Sequence, residues 1–286
     1  MSTPVDLTQS ENIYPIDHES GAEMARLMEQ DHLFTKGMRG LFAERSDLSQ
    51  IHRILDVACG PGGWALEVAF AYPEKEVVGF DINQTMINYA RTQALAQGLQ
   101  NVSFRVMNAL QPLDFPAASF DLVNARLVAF LPPTAWPILI HEYLCVTRSR
   151  GIIRLTETEL SVSNSPALEQ MQEFLTRAFR AAGLSFSHDG RRIAITPQLG
   201  RLLREAGCIN VQNMAHAIDY SAGTEAHTAF YQDWKTIYKL LQPFFISTGV
   251  TTQQKADQVY EQMLLEMMSD DFCAVHYLLT VWGEKP

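Results

Sequence analysis

The sequence predicts an α/β fold in which a doubly wound, mostly parallel sheet of seven strands carries helices on its faces. From residue 53 onward, short apolar runs alternate with helical stretches, a pattern typical of parallel sheets. A turn of small residues, Ala58 to Gly62, joins the first apolar run to a helix. The chain ends on a further apolar run, 272–281, after two helical stretches that interrupt the alternation. These observations predict one sheet-based domain with helical additions.

The elements follow from apolar periodicity and from helix start and stop signals. We predict strands at residues 53–57, 77–81, 102–107, 119–124, 151–157, 209–218 and 272–281. We predict helices at 63–71, 84–97, 133–147, 165–182, 197–206, 225–241 and 253–268, with Pro133 in the first turn of the third. Residues 1–48 form an irregular arm and a helical cap, with one or two helices over 19–43. Residues 49–286 form the main domain, with helical insertions near 160–196 and 222–271.

The composition narrows the possible partners. The chain has 286 residues, of which 47% are hydrophobic and 19% charged, as in an ordinary globular protein. Its net charge of −10 disfavours a nucleic-acid partner. The four cysteines are scattered without metal-ligand spacing, so no metal site is predicted. The sequence shows neither a signal core nor an apolar run as long as a membrane span, which predicts a cytoplasmic protein.

The turn after the first strand and the acid after the second predict a nucleotide-type ligand. Ala58, Gly60 and Gly62 leave the backbone open for close approach. Asp81 ends the second strand about 20 residues beyond Gly60, where a carboxylate can accept hydrogen bonds from ribose hydroxyls. The spacing of Gly60, Gly62 and Ala65 also fits a dinucleotide fingerprint, so a nicotinamide cofactor is an alternative.

Two further strand ends favour a cationic nucleoside over a nicotinamide. Asp56, just before the turn, would repel a pyrophosphate but attract an ammonium or a sulfonium. The amide of Asn108, after the third strand, could hydrogen-bond to an adenine edge. Arg126 and its neighbours follow the fourth strand, at the same edge of the sheet.

Over residues 51–159 the order of these motifs resembles the class I S-adenosylmethionine-dependent methyltransferases, particularly the ubiquinone/menaquinone-type and small-molecule branch. The resemblance implies a Rossmann-like methyltransferase fold, a last pair of antiparallel strands, and S-adenosyl-L-methionine as cofactor. The chain departs from the usual motifs at Ala58, where Gly is common, at Asn108, where Asp is common, and at residues 149–151, where Pro-Gly-Gly is common. None of these changes removes a group that the cofactor needs.

By the same resemblance, one set of residues would bind the cofactor. Asp56 and the 58–62 turn would hold the methionine moiety, and Asp81 would hold the ribose. The full set is Asp56, Ala58, Cys59, Gly60, Gly62, Asp81, Ile82, Met86, Asn108, Ala109, Leu110, Asn124, Ala125 and Arg126. Several of them could instead have a purely structural role: Asp56 as a helix cap, Asp81 and Asn108 as turn residues, and Arg126 as a surface ion-pair partner.

Residues on the substrate side are predicted from their place in the sequence. Glu157, at the end of the fifth strand, could orient or deprotonate an acceptor, and an exposed carboxylate is the alternative. Tyr14 and Met38 from the N-terminal region, and Trp234 from a helix with aromatic residues at positions 230, 234 and 238, could close over an apolar pocket. The alternatives are a surface tyrosine and a helix packed on its own core.

These observations together predict a methyltransferase acting on a small apolar or aromatic acceptor, with oxygen or carbon favoured as the methylated atom. Two alternatives stay open at this point: an NAD(P)-dependent oxidoreductase, and a non-catalytic S-adenosylmethionine-binding protein. A homo-oligomer is a further expectation, in which the N-terminal arm packs on a neighbouring subunit.

Overall fold

The computed structural model describes residues 14–16 and 21–286. The strands of this part of the chain are β1 (Arg53–Val57), β2 (Glu76–Asp81), β3 (Val102–Val106), β4 (Phe120–Arg126), β5 (Thr147–Thr158), β6 (Val162–Ser163), β7 (Ile209–Asp219) and β8 (Ala274–Glu284). They form one sheet in the order β3-β2-β1-β4-β5-β8-β6, with β7 also paired to β8. β1 to β5 pair in parallel, whereas β8 runs antiparallel to β5, β6 and β7.

The helices connect the strands and add a layer of their own. They are α1 (Gly21–Gly37), α2 (Gly63–Ala71), α3 (Gln84–Ala96), α4 (Trp136–Val146), α5 (Pro166–Ala181), α6 (Thr196–Glu205), α7 (His227–Ser247) and α8 (Gln253–Met267), with a short 3-10 helix at Pro133–Ala135. Local chemistry sets several of their ends. Asn83 caps α3 by accepting a bond from the Met86 N–H, and Ser165 caps α5 by accepting one from the Leu168 N–H.

The register of the parallel strands places the ends of β1, β2 and β4 together. Val57 at the end of β1 lies opposite Phe80 of β2 on one side and Ala125 of β4 on the other. Apolar side chains from these strands are almost fully buried, including Leu55, Phe80 and Val123. The loops that leave this edge are therefore held close to one another by a rigid core.

Helix α1 forms a cap on this edge. Leu33 and Phe34 are buried in a second hydrophobic cluster, which they share with side chains of α5, α7 and α8. Gly37 ends the helix against β7, where a Cβ atom would collide with the side chain of Ile218. The cap helix and the sheet therefore approach each other closely at Gly37.

The predicted doubly wound, mostly parallel sheet is confirmed, although several bounds differ; the last strand, for example, is Ala274–Glu284 rather than 272–281. The sheet has eight strands in the described chain rather than seven, because the two-residue strand β6 pairs with the end of β8. β5 begins at Thr147 rather than at residue 151, directly after α4. α7 continues through Pro243 to Ser247 rather than ending at residue 241.

Within residues 14–16 and 21–286, none of the helices combines the length and the apolar character needed to cross a membrane. The division between a cap at 1–48 and a main domain at 49–286 stays a prediction.

Candidate active site

The turn after β1 is held in a left-handed backbone conformation. Ala58, Gly60 and Gly62 have φ angles of 51°, 54° and 85°. At Gly62 a Cβ atom would lie 2.8 Å from the Phe104 ring and 2.9 Å from the Ala90 Cβ, so only glycine fits there. Ala58 adopts its conformation at a steric cost that glycine would not incur.

Asp81 ties the end of β2 to this turn. Its Oδ2 accepts a hydrogen bond from the Gly60 N–H at 3.0 Å, and its Oδ1 accepts one from the Asn83 N–H at 2.8 Å. Asp81 therefore does both things that the sequence suggested: it holds the turn, and it lines the cavity beside that turn.

A large cavity of about 1240 Å³ opens at the carboxyl ends of β1, β2, β4 and β5. Pockets for a single drug-sized ligand occupy about 300–1,000 Å³, so this cavity has room for two molecules. Thirteen of the predicted site residues line it: Tyr14, Ala58, Cys59, Gly60, Asp81, Ile82, Met86, Asn108, Ala109, Leu110, Arg126, Glu157 and Trp234. Five others are not among its lining residues: Met38, Asp56, Gly62, Asn124 and Ala125.

The part of the cavity beside the glycine turn, the slot, has a partly apolar lining that includes Ile82 and Met86. Ile82 is 36% exposed, and Met86 is buried in the first turn of α3. Asn108, Ala109 and Leu110 line this part after β3. Oδ1 of Asn108 accepts a bond from the Leu110 N–H at 2.9 Å, so this side chain shapes its own loop, as the turn alternative expected.

Asp56 lies behind the cavity wall in a buried chain of polar side chains. Its Oδ1 accepts a hydrogen bond from Nδ2 of Asn124 at 2.8 Å, and Oδ1 of Asn124 accepts one from Arg154 at 2.8 Å. Arg154 in turn donates to Glu44 at 2.6 Å. Burial raises the pKa of Asp56 to about 7, although the Arg126 charge and the Asn124 hydrogen bond oppose the shift. Asp56 can therefore gain or lose its proton near neutral pH.

Arg126 is paired with a carboxylate of the cap. Its guanidinium contacts Asp31 of α1 and lies 5.7 Å from the centroid of the Trp64 ring. Asp31 also accepts a hydrogen bond from the backbone of Trp64, in the first turn of α2. Burial raises the pKa of Asp31, while the positive charge of Arg126 opposes that shift. Arg126 is thus in an ion pair with a partner that the sequence had not indicated. The pair is largely buried, with 6% and 19% of the two side chains exposed, so it is not the surface pair of the alternative.

Glu157 faces the cavity from the end of β5 and is almost fully buried, not exposed. Its Oε1 accepts a hydrogen bond from the Val128 N–H at 2.7 Å. Its Oε2 is buried and has no hydrogen-bond partner among the described residues. Burial raises the pKa of Glu157 to about 8, opposed by the Val128 N–H and reinforced by the charge of Glu159.

A second buried ion cluster joins the cap to α7. Arg26 forks onto Glu23 with two bonds of 2.7 Å, and its remaining nitrogen donates to Asp233 at 2.8 Å. The Tyr14 hydroxyl donates to Glu23 at 2.6 Å, and its ring packs edge-on against Phe130. Tyr14 is therefore a wall residue fixed by the cap rather than a surface tyrosine.

The aromatic face of α7 serves both roles that the sequence suggested. Phe230 is fully buried in the hydrophobic cluster under the cap, as expected of a helix packed on its core. Trp234 and Tyr238 also line the cavity. Met38 does not, because its side chain is 2% exposed and belongs to that same cluster.

The residues fit a cationic adenosine-like cofactor better than a dinucleotide. A Cβ atom at Gly60 would meet only Met86 Sδ at 3.8 Å and Leu27 Cδ1 at 3.9 Å, so this side of the turn is open to a ligand. The N-terminus of α2, where a pyrophosphate would bind, is already occupied by the Asp31 carboxylate. Both arginines of the wall, Arg26 and Arg126, are paired with carboxylates, which leaves an excess of acidic groups for a positive ligand.

Comparison with known proteins decides the family. Residues 54–151 match the family model described as "Methyltransferase domain". The demethylmenaquinone methyltransferase of Geobacillus kaustophilus is 41% identical over 183 residues, which cover 59% of this chain and 75% of that protein. The chain belongs to the S-adenosylmethionine-dependent methyltransferase family.

Family membership confirms the predicted resemblance and the predicted cofactor, S-adenosyl-L-methionine. Methyltransferase str2 of Strobilurus tenacellus is 35% identical over 94 residues, and this match covers 32% of the chain and 31% of that protein. The chain thus spans about a third of the length of the first curated relatives that it matches. The YcgJ protein of Bacillus subtilis has the same fold, with a TM-score of 0.54 and 18% identity over 88% of this chain and 99% of that one.

Sequence reasoning missed the cap residues that complete this family site. Glu23, Arg26 and Gln30 recur at helical spacing on one face of α1, and that pattern was the available signal for a buried polar face. Asp31 and Glu44 gave no such signal, because their partners Arg126 and Arg154 are about a hundred positions away in the chain.

Proposed function

We propose that this methyltransferase transfers the methyl group of S-adenosylmethionine to a bulky, largely apolar or aromatic small molecule, with oxygen or carbon as the favoured methylated atom. The proposal rests on one observation: a single cavity is lined both by the glycine turn and by many apolar side chains of α5, α7 and the loops after β4 and α5, which form an apolar chamber. The demethylmenaquinone methyltransferase relative, named for a quinone-type acceptor, supports this class of acceptor.

In this proposal the slot holds the cofactor. The Asp81 carboxylate accepts bonds from the ribose, while Ile82 and Met86 flank one face of the adenine and the 108–110 loop flanks the other. The methionine part lies along the 58–62 turn, near Arg126 and in front of the Asp56–Asn124 pair. The excess of carboxylates there favours a ligand that carries an ammonium and a sulfonium.

The apolar chamber holds the acceptor. Side chains of α5, α7 and the loops that follow β4 and α5 form its walls, among them Leu127, Phe130, Leu175, Phe179, Ile193, Ile237 and Leu241. Trp234 and Tyr238 close one end, next to the buried ring of His276. Such a surface excludes water and binds large apolar groups through burial of area.

When bound, the cofactor supplies a methyl group that its sulfonium has already activated for in-line displacement. The protein therefore contributes chiefly orientation and a closed, water-excluding site. The cap provides that closure, since α1 contacts the turn side through Asp31 and the α7 side through Arg26.

The test is methyl transfer from isotopically labelled S-adenosylmethionine to a panel of phenols, enols and amines that carry large apolar substituents. We expect labelled product with at least one phenol or enol, and S-adenosylhomocysteine in equal amount. Tight binding of the cofactor without transfer to any acceptor would instead support a non-catalytic binding protein. Preferential binding of NAD(P)H would contradict the proposal. The cytoplasmic location, the absence of a nucleic-acid partner and the homo-oligomer stay predictions.

A further inference from the structure

Glu157 has a geometry that the binding of an apolar acceptor does not explain. One carboxyl oxygen is fixed by the Val128 N–H at 2.7 Å, which sets the plane of the group. The other oxygen has no hydrogen-bond partner among the described residues, although it is buried and the residue lines the cavity. A buried polar atom without a partner is destabilising, because folding removes its hydrogen bonds to water without replacing them. A ligand that bonds to Oε2 would remove this destabilising effect.

Glu159, the carboxylate just after the end of β5, differs from Glu157 in its hydrogen bonds. Glu159 also lines the cavity, but both of its oxygens are engaged at the start of α6. Oε2 accepts a bond from the Ala194 N–H at 3.1 Å, and Oε1 accepts bonds from the N–H and the hydroxyl of Thr196 at 3.3 Å and 3.1 Å. Glu159 is a helix cap, which leaves Glu157 as the carboxylate available to a ligand.

We propose that Oε2 of Glu157 accepts the proton of the acceptor's hydroxyl group during methyl transfer, so that the acceptors of this site are neutral phenols or enols. This inference rests on the proposed function and names its substrate class. A neutral amine attacks through its own lone pair and needs no base before transfer, and a permanently ionised acceptor needs none either.

The step balances as a transfer of one proton and one methyl group. The O–H bond of the acceptor breaks and its proton passes to Glu157 Oε2. A lone pair on the acceptor oxygen forms the new O–CH3 bond, and the electrons of the broken S–CH3 bond stay on sulfur, which becomes a neutral thioether. Glu157 then returns its proton to solvent when the product leaves.

The surroundings of Glu157 suit a base that works near neutral pH. The backbone amides of Val128, Ala129 and Thr158 face its carboxyl group and lower its pKa, whereas the charge of Glu159, just after β5, raises it. The charge of Glu157 in turn raises the pKa of the Tyr143 hydroxyl of α4. His276 of β8 lies beyond Thr158 and is neutral, because burial lowers its pKa to about 3. With a pKa of about 8, Glu157 is a strong enough base to take a phenol proton yet is partly ionised at working pH.

The first experiment compares the wild type with Glu157→Gln on phenols of graded acidity. Glutamine keeps an oxygen for the Val128 N–H, so the cofactor Kd and the unfolding midpoint should be unchanged. We expect kcat for a weakly acidic phenol to fall about 100- to 10,000-fold, and the rise of the wild-type rate between about pH 7 and pH 9 to disappear. The loss of kcat should be much smaller for phenols that are acidic enough to be ionised already at the assay pH.

Glu159→Gln is the matched control. It removes a like charge beside Glu157 and replaces one of the two oxygens that accept bonds at the start of α6 with an amide nitrogen. The rate at its plateau should be retained, and the rising limb of its pH profile should move to lower pH, because less charge repulsion remains. Equal rate losses in both variants would show a structural effect of this strand end and would overturn the assignment of Glu157 as the base.

A second measurement needs neither acceptor nor turnover. The difference infrared spectrum between wild type and Glu157→Gln should contain the C=O stretch of a protonated carboxyl group, titrating with a midpoint near 8. A carboxyl group already ionised at pH 6 would overturn the inference. So would a Glu157→Gln variant with wild-type rate and pH profile, in which case methyl transfer and the proposed function would still stand. If wild-type protein transfers no methyl group to any acceptor, the proposed function fails and the inference fails with it.

Discussion

The Gly60 N–H donates a hydrogen bond to Oδ2 of Asp81 over 3.0 Å, and this bond joins the turn after β1 to the end of β2. The other oxygen of Asp81 holds the Asn83 N–H at 2.8 Å, just before Asn83 caps α3. Asp81 therefore shapes the slot as well as lining it. A substitution that removes its oxygens would disturb the turn, so a test of its role in binding needs a variant that keeps them as far as possible.

Ala58→Gly should stabilise the protein. Ala58 has a φ of 51°, a left-handed conformation that costs an L-residue about 1–2 kcal/mol and glycine little. Glycine also makes the unfolded chain more flexible, which offsets part of that gain. We expect a net increase of about 0.5–1 kcal/mol in the free energy of unfolding, measured by urea denaturation. Ala58→Val should lower it, and an unchanged or reduced stability of Ala58→Gly would contradict the strained turn.

Binding of S-adenosylmethionine should release a proton near neutral pH. Burial raises the pKa of Asp56 to about 7, and a cation bound in the nearby slot would lower it again. Asp56 is thus partly protonated in the free protein and ionised in the complex, so affinity should rise with pH up to about 7 and then level off. Calorimetry in two buffers of different ionisation enthalpy measures the released proton. Asp56→Asn should reduce the release, and equal enthalpies in both buffers would refute the linkage.

The buried pair between α1 and α7 should be important for stability. Arg26→Met leaves the buried Asp233 carboxylate without the guanidinium that pairs with it, which typically costs about 3–5 kcal/mol. We expect the free energy of unfolding, measured by chemical denaturation, to fall by this amount, and we expect proteases to cut α1 faster. Lys36→Met, on the same helix, breaks an exposed pair with Glu225 and should cost less than about 1 kcal/mol. Similar losses for the two variants would contradict the role given to the buried cluster.

Narrowing the apolar chamber should affect the acceptor and not the cofactor. Ile237 of α7 lines the cavity, and Ile237→Phe adds bulk there. We expect KM for a bulky acceptor to rise about tenfold or more while the Kd of S-adenosylmethionine changes less than about twofold. Ile138→Phe on the exposed side of α4 is the control and should change neither. A changed cofactor Kd in Ile237→Phe would mean that the two halves of the cavity are assigned incorrectly.

The elements that local chemistry determines could be predicted from the sequence. β1 and α2 were predicted with their observed bounds, because a short apolar run and a glycine turn are properties of neighbouring residues. The predicted end of α7 was wrong for a tertiary reason. The helix continues past Pro243 because Phe244 and Phe245 pack against Phe179 and Phe174 of α5, which offsets the loss of a backbone hydrogen bond.

The residues of the site likewise fall into those that the sequence predicted and those that it did not. The turn and strand ends that line the slot were predicted, since an open parallel sheet brings its strand ends together. The pairing of Arg126 with Asp31 and of Arg154 with Glu44 depends on how the cap docks, and one sequence carries no record of that docking. The burial of Glu157 likewise depends on the folded chain and could not be predicted from the sequence. It leaves Oε2 without a hydrogen-bond partner among the described residues.

The central claim is that the slot lined by Gly60 and Asp81 binds S-adenosylmethionine through the Asp81 carboxylate. Calorimetric titration of wild type, Asp81→Asn and the surface control Asp257→Asn with this cofactor tests it most directly. Asparagine keeps one oxygen for a backbone N–H but loses the other oxygen and the charge. We therefore predict a retained fold of lower stability and an affinity about 10- to 100-fold weaker, equivalent to about 1.4–2.7 kcal/mol. Asp257→Asn should bind as wild type does. Equal affinities of wild type and Asp81→Asn, or no binding by the wild type, would contradict the claim.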